Sequence, residues 1–63
     1  FKKKGKLYGV EVKYTLAPSL TPSIRSALEE LHLSHVWLVY FGRDKYSLAD
    51  NVTVLPVSEV EEI

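Results

Sequence analysis

Two side chains in this sequence have the types and spacing for chemistry: Glu11 and Lys13, in the run Gly9-Val-Glu-Val-Lys13. On an extended strand that spacing places both on one face, with Gly9 and Thr15 as small neighbours. A carboxylate able to bind Mg²⁺, beside an ammonium that orients or activates water, is what metal-assisted phosphodiester hydrolysis requires. Alternating charges on a strand also form solvated faces and cross-strand ion pairs, so Glu-x-Lys alone leaves both readings open.

The other reactive types carry weaker signals. His32 and His35 have a spacing that would bring two imidazoles together on one helical turn, yet the helix is expected to end between them. His32 then sits in a last helical turn, where the dipole favours a cation, and no metal site follows. The serines include no Gly-x-Ser-x-Gly elbow, and Gly5, Gly9 and Gly42 form no phosphate-binding pattern, so a P-loop is excluded from this segment. Trp37 could stack on a base, but it lies in the most apolar run and is assigned to the core. Lys2, Lys3, Lys4 and Lys6 read as a solvated, flexible end in preference to a phosphate contact.

The elements that must position these residues follow from periodicity. From Lys6 to Thr15, Tyr8, Val10, Val12 and Tyr14 alternate with Gly9, Glu11, Lys13 and Thr15, which predicts a strand. Leu16 to Leu20 has no period and contains Pro18, a connecting loop. Thr21 then caps a helix with Pro22 at its first position, and Ile24, Ala27, Leu28 and Leu31 form an apolar stripe over Ser23 to Leu31. His35 to Phe41 is apolar at every step from Val36, which predicts a central strand buried on both faces. Strand, helix and strand in that order make a βαβ unit with parallel strands. Tyr46–Leu48 and Val52–Leu55 are further short strands around an Asp50-Asn51 turn, closed by Pro56. Ser58 and Glu61 have capping-box spacing, which predicts the first turn of a helix over Ser58 to Ile63.

Composition bounds what such a unit can do. At 63 residues, with 46% hydrophobic and 25% charged, the chain is one globular domain near the lower size limit for an unaided core. It has no cysteine, which excludes disulfides and thiolate metal sites and suits a cytoplasmic protein. The longest apolar run, Val36 to Phe41, is far short of the roughly 20 residues that span a bilayer, and Phe1 to Lys4, basic but followed by no apolar h-region, does not read as a secretory signal. Eight basic and eight acidic residues give net zero, a weak field for a dedicated nucleic-acid binder. The lysines nevertheless crowd one end, and Glu59, Glu61 and Glu62 the other. With no methionine, the chain is expected to be a piece of a longer protein.

Taken together, the Gly-x-Glu-x-Lys strand, the Pro-Ser loop, the helix and the Tyr46-Ser-Leu48 to Val52-Thr-Val-Leu-Pro-Val57 ending resemble the C-terminal end of a prokaryotic AAA-type ATPase family. There a P-loop ATPase domain precedes a C-terminal domain of unknown function, similar to the PD-(D/E)XK restriction-endonuclease-like fold. By that resemblance Glu11 and Lys13 fall on the Glu and Lys of the nuclease motif. Glu11 would be a metal ligand and both would be catalytic in an active parent. The first acidic residue of the motif belongs on the preceding strand, and Phe1 to Lys6 contain neither Asp nor Glu.

The resulting expectation is an α/β fragment with a small mixed sheet, its parallel pair bridged by the helix and only one face well covered. Functionally it reads as a non-catalytic nuclease-like accessory domain that docks onto the rest of its parent ATPase or contacts a partner or, weakly, DNA. One rival is a Mg²⁺-dependent nuclease completed by upstream residues; the other is a homo-oligomerisation module. ATP would be bound by the parent and not by this segment. Leu7, Tyr8, Leu48 and Val60 are the expected exposed apolar residues.

Overall fold

A computed structural model describes every residue from Phe1 to Ile63. Its strands are β1 (Lys2–Lys3), β2 (Lys6–Val12), β3 (His35–Tyr40), β4 (Tyr46–Ala49) and β5 (Val52–Pro56), with one α-helix, α1 (Pro22–Glu30), and a 3₁₀ helix over Val57–Glu62. The five strands form one mixed sheet in the order β1-β2-β3-β5-β4. The central pairs β2–β3 and β3–β5 are parallel, and the two edge pairs are antiparallel.

The expected βαβ unit is present, and α1 begins as its sequence dictates. Thr21 is extended at φ −109°, ψ 159°, and its Oγ1 accepts from the Ile24 N–H at 3.3 Å, satisfying one of the first turn's free donors. Pro22 follows at the position where an absent N–H is harmless.

The helix ends before both histidines. His32 lies beyond it with φ 52°, so it is not in the last turn as expected. The Leu33 N–H donates to Leu28 O at 3.1 Å and the His32 N–H to Glu29 O at 3.4 Å. These two bonds are a Schellman motif with histidine in the left-handed position usually held by glycine.

Register assigns the faces. Val36, Leu38 and Tyr40 of β3 share a face with Val52 and Val54 of β5 and pack with Ile24 of α1 into the core, flanked by Leu20, Leu28, Leu33 and Leu48. The stripe of α1 is shorter than expected, since Leu31 is 57% exposed. Leu48 joins the core, contrary to its expected exposure, because β4 pairs Tyr46 opposite Val54 and alternation turns Tyr46 and Leu48 onto the core face of the sheet.

The opposite face bears no α-helix. Its 3₁₀ helix lies against β5 and β3, and Val39 and Leu55 are buried there. Val10 and Val12 of β2, on the same face, stay open at 46% and 50% exposure. The central strand is therefore buried on one face and only partly on the other. Trp37, expected in the core, is half-buried on this second face, with the whole sheet between it and Leu28.

Two terminal expectations also change. Lys2–Lys6 is ordered as a hairpin: Lys3 pairs with Lys6, and Lys4 (φ 52°) and Gly5 (φ 82°) make a two-residue turn with positive φ at both positions. Ser58 caps nothing. Pro56 precedes the 3₁₀ helix with no side-chain cap, and Lys45 Nζ instead ties that helix down through Glu62 Oε1 at 3.0 Å.

Candidate functional site

Glu11 and Lys13 meet as their spacing implies. Lys13 Nζ lies 2.6 Å from Glu11 Oε2, and the side chains are 51% exposed for Glu11 and 28% for Lys13. Gly9, Glu11 and Lys13 alternate with Tyr8, Val10 and Val12, so the pair points to the face that carries α1. The apolar set Tyr8, Val10 and Val12 therefore lies on the face away from α1. The reason is Gly9: a β-carbon there would come within 3.1 Å of Leu33 and 3.3 Å of Val36, so the helix-side layer reaches the β2 backbone itself. Glu11 borders a small cleft of about 180 Å³ that also touches Ser23, Ile24 and Ala27.

The fit of this pair to Mg²⁺ can be judged from its donors. Mg²⁺ takes oxygen ligands in near-octahedral geometry, commonly one or two carboxylates plus water and phosphate. The pair contributes one carboxylate, already neutralised by the adjacent ammonium, and no cluster of three or more His, Cys, Asp or Glu side chains suited to a metal occurs. These residues alone do not assemble the metal site.

His32 and His35 are not brought together. His35 Nε2 is 2.7 Å from Thr53 Oγ1 on the second face, and burial lowers the His35 pKa below its ordinary 6.5.

A second constellation lies on that face. Phe1 stacks on Tyr8 (ring centroids 5.3 Å apart), Tyr8 is 5.5 Å from Trp37, and Trp37 is 4.6 Å from His35. This aromatic row floors a cleft of about 500 Å³, within the range of small-ligand sites, rimmed by Lys3, Lys4 and Lys6. The only acidic side chain in its wall, Glu62, is engaged by Lys45, whose hydrogen bond holds the Glu62 carboxyl below its usual range.

By its apolar run Trp37 reads as core and the lysines read as a loose end, which separates two parts of one cleft. The signal that joins them is the Lys4-Gly5 turn. It is weaker than Asn-Gly or Asp-Gly because lysine does not favour positive φ.

The chain is similar to uncharacterized protein Rv2008c of Mycobacterium tuberculosis and uncharacterized protein Mb2031c of Mycobacterium bovis, 39% identical to each over 56 residues. The match takes in 89% of this chain and 13% of either relative, so the chain spans a small part of their length. No family model and no solved structure matches it.

Proposed function

We propose that this chain is a non-catalytic, nuclease-like accessory domain of a longer AAA-type ATPase, working through contact with the rest of that protein, a partner or nucleic acid. The observation that carries the reading is the Glu11–Lys13 pair on the strand that enters a parallel βαβ crossover, with a single carboxylate in place. A nuclease-like frame with an incomplete donor set suits binding better than hydrolysis. The ATPase part rests on the resemblance of the segment order, and relatives far longer than the matched region are compatible with it.

A second reading, a Mg²⁺-dependent nuclease completed from upstream, is favoured by the register of β1. Lys2 pairs with Leu7 and Lys3 with Lys6, and Phe1 and Tyr8 exchange backbone bonds. Continued in that register, a longer β1 would set the third residue before Phe1 across from Glu11, on the same face. An acid there would supply the second carboxylate.

The experiment that separates the two is incubation of this chain, and of the longer protein, with plasmid DNA or RNA plus Mg²⁺ or Mn²⁺. No cleavage by either is expected. Metal-dependent cleavage that disappears in Glu11→Ala and Lys13→Ala, with folding retained, overturns the accessory reading in favour of the nuclease.

A further inference from the structure

The cleft on the second face combines two features that single-stranded nucleic-acid sites share: aromatic rings at its surface on which bases stack, and cations that follow the phosphates. Trp37 is half-buried and held between neighbours, with His35 at 4.6 Å, Tyr8 at 5.5 Å and Phe1, the outermost ring of the row at 51% exposure, stacked on it at 6.2 Å. His35 is in turn fixed by Thr53, so the row is preorganised. The ion pairs of the chain are Glu11–Lys13 and Lys45–Glu62, which leaves Lys3, Lys4 and Lys6 without a carboxylate partner.

The β1–β2 hairpin carries those lysines to the rim. Antiparallel pairing puts Lys3 opposite Lys6, and alternation puts both on the face of Phe1 and Tyr8. A net charge of zero conceals this local excess, because the acids that balance it lie elsewhere or are already paired.

We infer that this cleft binds single-stranded nucleic acid, an unpaired base stacking on the Phe1–Tyr8–Trp37 row while Lys3 and Lys6 hold the flanking phosphates. The inference deepens the nucleic-acid contact of the proposed function and assigns it to the face opposite Glu11. It stands or falls separately from the cleavage test. A duplex keeps its bases stacked and out of reach of the aromatic floor, so discrimination against it follows from the same geometry. An acidic peptide would engage the lysines without needing the rings.

Trp37 is the only tryptophan, which makes its fluorescence a direct reporter. An oligothymidylate of about eight nucleotides, within the span of known single-strand sites, should quench that emission at low salt. A duplex of equal length should do so at least about tenfold less effectively. Followed by anisotropy of a labelled oligonucleotide, Trp37→Ala or Tyr8→Ala should weaken binding on the order of tenfold. Lys6→Ala should weaken it too and flatten the salt dependence by about 0.7 in log–log slope, the share of one single-strand phosphate contact.

Arg25→Ala removes the same charge from the exposed surface of α1 and should leave binding unchanged, with Lys6→Ala as the fold-neutral counterpart if the aromatic variants unfold. Absence of binding at low salt overturns the inference. So does binding without tryptophan quenching, or a loss in Arg25→Ala equal to that in Lys6→Ala.

Discussion

His32 closes α1 at φ 52°, where a β-carbon crowds the backbone by roughly 1–2 kcal/mol and glycine does not. His32→Gly should therefore raise stability by about 0.5–1 kcal/mol, read as a higher urea midpoint with an unchanged slope. Gly42 is constrained in the opposite sense. A β-carbon there would run into the ring of Tyr40, and that ring cannot swing aside, because its hydroxyl accepts from the Asp44 N–H at 2.9 Å and donates to Asp44 O at 2.8 Å. Gly42→Ala should cost about 1–3 kcal/mol in the same measurement.

His35 supplies a pH dependence. Burial lowers its pKa in the folded state, so as pH falls through about 6.5 the unfolded chain takes up the proton first. The stability tied to His35 is complete above that pH and declines below it, toward the lower folded pKa. Thermal midpoints measured from pH 7.5 down to 5 should fall less in His35→Gln than in the unmodified chain; equal declines would show that His35 carries none of the effect.

At the scale of elements, α1 is anchored chiefly through one residue. Ile24 is 4% exposed, Leu28 is half-buried and Leu31 is open. Ile24→Ala should cost about 2–5 kcal/mol, enough to unfold much of so small a domain. Leu28→Ala should cost less, and Leu31→Ala should fall within about 0.5 kcal/mol of neutral. Circular dichroism melts of the three variants check that order, and a reversed ranking would mean that α1 seats on a different stripe. The exposed positions Arg25 and Glu29 should be nearly silent, since exposed charged positions contribute about 0.5 kcal/mol or less. Both edges of the sheet are guarded by short strands, and β1 adds two lysines that discourage a further strand from pairing there.

For the whole molecule, the asymmetry of the sheet matters most. One face is roofed by α1; the other is roofed only over β3 and β5, leaving Val10, Val12 and, beyond the strands, the stacked Tyr14–Phe41 pair open to solvent. No helix is long and apolar enough to cross a membrane. An open apolar row of this kind commonly meets another surface, and twofold pairing of identical copies is the commonest arrangement. Sedimentation at rising concentration should show association that Val12→Lys suppresses. A single monomeric species up to about millimolar would leave the face without a homotypic role.

The run of elements from β2 to β5, the cap at Thr21 and the adjacency of Glu11 and Lys13 were legible in the sequence from spacing within a few residues, and the parallel crossover from the strand-helix-strand order; the β1 hairpin and the 3₁₀ form of the last helix were not. Which way β2 faces was not. Alternation shows that Tyr8, Val10 and Val12 lie opposite Gly9, Glu11 and Lys13, but not which set meets the helix. That choice came from the close approach of Leu33 and Val36 to Gly9, a contact between distant parts of the chain. The same non-local choice carried Trp37 out of the core and set it beside Tyr8 and the lysine hairpin. A strand determines its own two faces, and only the elements packed against it decide which one is buried.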